Sequence, residues 1–182
     1  MLFSPRWLGM SARPLHVLFV GTRNSARSIM AEAMLHELGT HRFRAFSAGS
    51  DPAGTPDPLA LTTLLRFGFP IEGLRSKSWH EFALDQSNAP PLHVVLTVCD
   101  DVARMPTPIW PGGPLTAHWP VPDPCRVTAS NRQRLRAFNN AAAMLRDRIE
   151  LLVNLPLDKL DDFALRLHLK DIGRESLLGL VR

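Results

Sequence analysis

Cysteine is scarce in this chain: only Cys99 and Cys125 occur among 182 residues. Two cysteines cannot form the disulfide framework of a small secreted protein, so we expect a reducing, cytoplasmic compartment. No apolar run approaches the roughly 20 residues that a membrane-spanning helix needs, and we expect no membrane association. Metal-ligand spacings such as CxxC and HExxH are also missing. We therefore expect neither a metal nor another cofactor.

Charge of one sign is not in large excess. The formal net charge is +4 and the sequence pI is about 9.8, a balance that slightly favours anionic ligands. The arginines are scattered, without the basic run and interleaved aromatic residues of a nucleic-acid surface, so no nucleic-acid partner is expected. Hydrophobic residues make up 45% of the chain, as in ordinary globular proteins.

Short apolar runs alternate with amphipathic segments along the sequence. Strands are predicted over residues 16–20, 42–47, 92–98 and 115–119, and helices over residues 28–38, 57–67, 130–155 and 160–169. Gly39 is predicted to cap the first helix, and the last helix is predicted to end at Gly173. This alternation predicts an α/β fold whose parallel sheet is covered on both faces.

The length fits a single domain. Residues 15–173 are predicted to form this domain, with residues 1–14 as a flexible leader and residues 174–182 as a C-terminal tail. The apolar patch from Trp7 to Met10 is too short for a signal-peptide core. An alternative to a flexible leader is that the protein starts at Met10.

The segment between the first strand and the first helix is the main candidate site. A loop that leaves a parallel strand and enters a helix can present backbone N–H groups to an anion, and Arg27 can hold two of its oxygens. The alternative is an ordinary glycine turn with a surface arginine. A nucleotide P-loop is not expected, since GxxxxGK[ST] is absent. The predicted oxyanion cradle consists of Gly21, Thr22, Arg23, Asn24, Ser25, Ala26, Arg27 and Ser28.

Residues 17–33, VLFVGTRNSARSIMAEA, resemble the signature VLFVCTGNSARSxMAEA of the low-molecular-weight tyrosine phosphatase and thioredoxin-coupled arsenate reductase family. The resemblance implies a three-layer sandwich with a central four-stranded parallel sheet. The segments at 110–112 and 116–119, and the absence of tyrosine, favour the arsenate-reductase branch. Further matches lie at residues 47–49 (SAG), 76–79 (SKSW), 97–100 (TVCD), 110–112 (WPG), 116–119 (TAHW) and 123–124 (DP).

The same resemblance implies a cysteine nucleophile at position 21, six residues before Arg27, where this chain has Gly21. Arg23 stands where the family usually has glycine. If this position needs a positive φ, Arg23 is strained; otherwise it adds a second cation at the mouth. Asp123 matches the general acid that protonates a leaving group, although a turn-forming Asp-Pro pair is the alternative.

The resemblance also implies a redox relay among three cysteines. Cys99 matches the second cysteine of this relay, but Thr107 stands at the place of the third. A redox pair formed by Cys99 and Cys125 is an alternative to two reduced thiols. Glu32, in the first helix, is expected to be solvated or paired at the surface.

Three hypotheses follow. The favoured one is a pseudoenzyme that binds phosphate, arsenate, sulfate or a phosphorylated protein, because the loop amides and Arg27 do not depend on the missing thiol. The second is an active arsenate reductase or phosphatase that uses Cys99 or Cys125. The third is a scaffold protein with a relic pocket.

Overall fold

A computed structural model describes residues 14–175, so nearly all of the predicted leader and tail lies outside the described residues. Three single 3₁₀ turns, Trp79–Phe82, Pro124–Arg126 and Leu157–Lys159, connect longer elements. The strands are β1 (Leu15–Gly21), β2 (Phe43–Gly49), β3 (Val94–Thr97) and β4 (Leu115–His118). The helices are α1 (Arg27–Gly39), α2 (Pro58–Arg66), α3 (Asp100–Ala103), α4 (Asn131–Val153) and α5 (Asp162–Glu175).

All four strands are parallel, in the order β2-β1-β3-β4, which confirms the predicted α/β fold and its parallel sheet. The chain passes from β1 to β2 on one side and returns to β3 on the other. The carboxyl ends of β1 and β3 therefore flank a crevice, where ligands bind in sheets of this kind. The loop after β1 and Cys99 after β3 both lie at this edge.

Alternate residues of β1 face two separate apolar layers. Val17 and Phe19 pack with residues of α1, α2, α4 and α5, whereas Leu18 and Val20 pack with the 3₁₀ turn at 79–82, α3 and Trp110. Both faces of β1 are therefore buried, as expected for a parallel strand. Trp79, Trp110 and Trp119 are all buried in these two layers.

Two helix starts follow directly from the sequence. The Asp57 carboxylate caps α2 by accepting a hydrogen bond from the Leu59 N–H, and Ser130 and Gln133 form a capping box at the start of α4.

Within residues 14–175, none of the helices is both long and apolar enough to cross a membrane.

The predicted roles of Gly39 as a helix cap and of Gly173 as a helix end are wrong. Gly39 is the last residue of α1, and the C-cap with a positive φ is Thr40, at 41°. Gly173 lies inside α5, which runs from Asp162 to Glu175. A Cβ atom would lie 2.9 Å from Phe43 Cβ at Gly39 and 2.4 Å from the His118 carbonyl oxygen at Gly173. These glycines are needed for close packing, which a helix-capping pattern cannot distinguish.

A histidine pair lies at the amino-terminal ends of β1 and β3 and makes the free energy of unfolding depend on pH. The His93 Nδ1 atom accepts a hydrogen bond from the His16 backbone N–H at 2.9 Å. Burial, and then the neighbouring His16, lower the pKa of His93 below its ordinary value of 6.5. As the pH falls below 6.5, the unfolded chain binds a proton at His93 before the folded chain does. We expect the free energy of unfolding to decrease over this range.

Urea unfolding at about pH 7.5 and about pH 5.5 measures this effect. A His93→Asn variant keeps a side-chain acceptor but does not titrate, so its loss of stability between the two pH values should be smaller. An equal loss in both proteins would show that His93 is not responsible.

Candidate functional site

Backbone hydrogen bonds from the segment that follows β2, residues 50–57, hold the loop at residues 21–27 in place. Four backbone N–H groups of this segment donate to loop carbonyls, which turns those carbonyls away from the crevice. The hydrogen bonds run from Ser50 to Gly21 (3.2 Å), from Asp51 to Thr22 (2.9 Å), from Ala53 to Arg23 (2.8 Å) and from Asp57 to Ser25 (2.8 Å).

The N–H groups of the same loop have no such partners. Across the described range 14–175, no hydrogen bond is donated by the backbone N–H of any residue from 22 to 28. The N-cap of α1, Ala26, supplies no side-chain acceptor, in contrast to Asp57 and Ser130 on α2 and α4. Unpaired N–H groups at the positive end of a helix form an anion-binding site.

Asn24 fixes the shape of this loop. It has a φ of 43°, and its side chain is almost completely buried. The Asn24 Nδ2 atom donates to the hydroxyls of Ser28 and Ser47, each at 2.9 Å, and its Oδ1 atom accepts from the Lys77 N–H at 2.6 Å. These bonds compensate for the left-handed backbone, since asparagine tolerates this region better than most residues. The buried Ser28 hydroxyl is thereby tied to the loop.

Arg23 is not the strained residue. The left-handed residue is Asn24, one position later, so the first alternative for Arg23 is wrong. The Arg23 side chain is 57% exposed and pairs with Asp51. Its charge therefore already has a counter-ion; that it acts as a second cation for a bound anion stays a prediction.

A partly buried ion pair between Lys77 and Glu32 is connected to the loop by hydrogen bonds. The Lys77 ammonium lies 3.0 Å from a Glu32 carboxylate oxygen, and Glu32 also accepts a hydrogen bond from the Ser47 hydroxyl. The expectation that Glu32 is solvated or paired at the surface is wrong, because its side chain is only 16% exposed and that of Lys77 only 6%. The chain from Lys77 through Glu32 and Ser47 ends at Asn24, so the pair stabilises the cradle.

Position 21 can accept a Cβ atom if the Ser28 side chain adjusts slightly. A Cβ atom there would lie 3.3 Å from the Ser28 Oγ atom and 3.7 Å from the Val98 Cγ2 atom, with no backbone atom among its nearest neighbours. The φ of Gly21 is outside the left-handed region. Neither space nor backbone conformation therefore requires glycine at the place of the expected nucleophile.

Arg27 reaches across the crevice to the segment after β4. Its Nη1 atom donates to the Val121 carbonyl at 3.0 Å, and its Nη2 atom donates to Asp123 Oδ2 at 2.8 Å. The guanidinium and the carboxylate are only 15% and 23% exposed. They line a cavity of about 260 Å³ together with Cys99, Asp101 and Arg126. The structure thus brings the predicted residues Arg27, Asp123 and Cys99 to one cavity.

Comparison with known proteins identifies the family. The family model for low molecular weight phosphotyrosine protein phosphatases matches residues 16–161. The chain belongs to this family.

Relatives within the family include arsenate reductases. The chain is 28% identical to a glutaredoxin arsenate reductase from Synechocystis sp., over 75% of this chain and 95% of the relative. It is 31% identical to an arsenate reductase from Staphylococcus xylosus, over 66% and 86%. A solved arsenate reductase in the phosphate binding state is 27% identical, with a TM-score of 0.61 over 76% of this chain and 96% of that chain.

The two cysteines of this family member occupy different environments. Cys99 is buried, and its sulfur lies 3.2 Å from the Thr22 hydroxyl oxygen of the loop. Cys125 is at the surface, with its sulfur 3.8 Å from an Asp57 carboxylate oxygen. Partial burial of this sulfur, followed by the negative charges of Asp123 and Asp57, raises the pKa of Cys125 to about 12.

Both cysteines are free thiols. Because the nucleophilic form of cysteine is the thiolate, the raised pKa makes Cys125 a poor nucleophile at neutral pH. Cys99 is the thiol that lines the cavity with Arg27. Thr107, which stands at the place of the third relay cysteine, is exposed in the loop after α3.

Proposed function

We propose that this member of the low molecular weight phosphotyrosine protein phosphatase family binds a tetrahedral oxyanion, free or on a phosphorylated protein, and does not turn it over. The observation that carries the proposal is the row of loop N–H groups at residues 22–28, which donate no hydrogen bond within residues 14–175. An N–H group without an acceptor is unfavourable unless water or a ligand supplies one, so a site that keeps several N–H groups open is suited to a ligand rich in acceptor oxygens.

The supporting network favours a functional cradle over a relic. Asn24, Ser47, Glu32 and Lys77 form a chain of buried and partly buried hydrogen bonds that holds the loop in this shape. The left-handed Asn24 backbone is kept with a full set of side-chain hydrogen bonds, as is common in loops that bind ligands. The relative solved in the phosphate binding state is in line with the same ligand class.

The lack of turnover follows from position 21. Glycine has no side chain, so the covalent step that needs a nucleophile at this place has none. Loss of a catalytic nucleophile typically costs several orders of magnitude in rate. Arg27 and the loop N–H groups do not depend on that side chain, and removing a thiolate also removes its repulsion toward an anion.

Calorimetric titration with sulfate, phosphate and arsenate tests the proposal. We expect binding at millimolar or lower concentration in the natural protein. An Arg27→Ala variant should bind at least about tenfold more weakly, because a hydrogen bond to a charged group is lost. Arg66→Ala removes the same charge from the exposed end of α2 and is the matched control. Absence of heat from the natural protein would refute oxyanion binding.

A second candidate is thiol chemistry through Cys99, favoured by its contact with Thr22 and its place in the cavity of Arg27. Turnover of p-nitrophenyl phosphate and thiol-dependent reduction of arsenate measure it. Activity that disappears in Cys99→Ser but persists in Cys125→Ser would favour this candidate over the pseudoenzyme. Activity at background level in all three proteins would exclude it.

A cytoplasmic location stays a prediction.

A further inference from the structure

The guanidinium of Arg27 already has a counter-ion inside the pocket. Each of its terminal nitrogens donates one hydrogen bond, Nη1 to the Val121 carbonyl and Nη2 to Asp123. An oxyanion held by the loop would need the same guanidinium for a bidentate grip. The Asp123 carboxylate and such a ligand therefore compete for one cation.

The Asp123 carboxylate is fixed in this place by more than Arg27. Its Oδ1 atom accepts the Cys125 N–H at 3.0 Å and thereby caps the 3₁₀ turn Pro124–Arg126. The following proline restricts the Asp123 backbone. Arg126 adds a weaker contact at 3.8 Å. The carboxylate thus cannot move away freely when an anion enters.

The other charges of the cavity do not offset this carboxylate. Its lining carries two cations, Arg27 and Arg126, and three carboxylates, Asp100, Asp101 and Asp123. Asp101 pairs with Arg126 at the exposed rim, where solvent screens both groups. Asp123 is the carboxylate in direct contact with Arg27 and is only 23% exposed. Its charge therefore acts on a ligand at short range and with little screening.

We propose that Asp123 is a specificity-determining residue: it competes with the bound oxyanion for Arg27 and disfavours doubly charged ligands relative to singly charged ones. The inference rests on the proposed oxyanion binding. Its physical basis is that Coulomb repulsion from a fixed carboxylate is proportional to the charge of the ligand. The resemblance assigns Asp123 the role of a general acid, but without a nucleophile its effect is on which anion binds and how tightly.

Sulfate and perchlorate are suitable probes, because both are tetrahedral and they differ in charge. Titration of an Asp123→Asn variant at constant ionic strength should show sulfate affinity raised at least about tenfold. Perchlorate affinity should rise only about threefold, since repulsion of a single charge is half as large. Asparagine keeps the Oδ1 acceptor for the Cys125 N–H, so the turn is preserved. Asp123→Ser, which also caps, is a second variant if the first does not fold.

Asp101→Asn is the matched control. It removes the same charge from the lining of the same cavity, but at a group that is 62% exposed and does not contact Arg27. Its affinities for both anions should stay within about twofold of those of the natural protein. A shift as large as that of Asp123→Asn would overturn the inference, because cavity charge in general would then explain it.

Two further outcomes separate this inference from the proposed function. If the natural protein binds sulfate and Asp123→Asn binds it no better, or gains equally for both anions, the inference is wrong and oxyanion binding stands. If neither protein binds either anion, the proposed function and the inference both fail.

Discussion

A Gly21→Cys variant is expected to hydrolyse p-nitrophenyl phosphate at least about 1,000-fold faster than the natural protein. The new Cβ atom would lie 3.3 Å from Ser28 Oγ and 3.7 Å from two carbon atoms, so it requires only a small adjustment of the Ser28 side chain and meets no backbone atom closely. The unpaired loop N–H groups would stabilise its thiolate and lower its pKa. Steady-state release of p-nitrophenol measures the rate.

Gly21→Ser is the matched control for this variant. It adds a side chain of similar shape whose hydroxyl lacks an activating base, so its rate should stay near that of the natural protein. Adding Arg27→Ala to Gly21→Cys should remove most of the gained rate. A folded Gly21→Cys protein no faster than Gly21→Ser would mean that the loop does not support phosphoryl transfer. Adding Arg23→Gly should bring no large further gain, since Arg23 is not left-handed.

A Gly49→Ala variant is expected to lose about 2–3 kcal/mol of unfolding free energy and most of its affinity for sulfate. Gly49 lies opposite Gly21 in the register of β1 and β2. A Cβ atom at this position would lie 2.5 Å from the Thr22 carbonyl oxygen and 2.9 Å from the Asn24 N atom. Both are backbone atoms of the loop, so the cradle itself must move to admit the methyl group.

Gly21→Ala provides the comparison across the same pair of strands. Its methyl group would meet only the Ser28 hydroxyl closely, and replacing glycine reduces the entropy of the unfolded chain. We expect its unfolding free energy to change by less than about 1 kcal/mol. Urea unfolding and sulfate titration of both variants measure the difference. Equal effects of the two substitutions would refute the idea that Gly49 is kept for the approach of the loop.

The secondary structure was largely readable from local patterns. The capping residues Asp57 and Ser130 begin α2 and α4 as predicted, because a cap depends on neighbours within three residues. Glycine was harder to interpret. Gly39 and Gly173 follow apolar periodic segments, as helix caps do, but their contacts with Phe43 and His118 come from other elements.

The residues of the candidate site were also only partly predictable from the sequence. Arg27 and Asp123 were predicted from the residue types and the family resemblance, and both line the cavity. Lys77 was missed as a support of the loop, and Glu32 was placed at the surface. Neither the residue types nor the family motifs reveal that Lys77 and Glu32, 45 positions apart in the sequence, form an ion pair that supports the loop.

Local order and residue identity were sufficient to predict the alternation of strands and helices and the family resemblance, and to reveal glycine at position 21, where that resemblance implies a cysteine. The orientation of the loop groups, by contrast, is a property of the tertiary structure. The fold turned the loop carbonyls toward residues 50–57, left the N–H groups of residues 22–28 open, and set Arg27 against Asp123 across 96 positions. These are long-range contacts, and they form only where the parallel strands bring distant segments to one edge of the sheet.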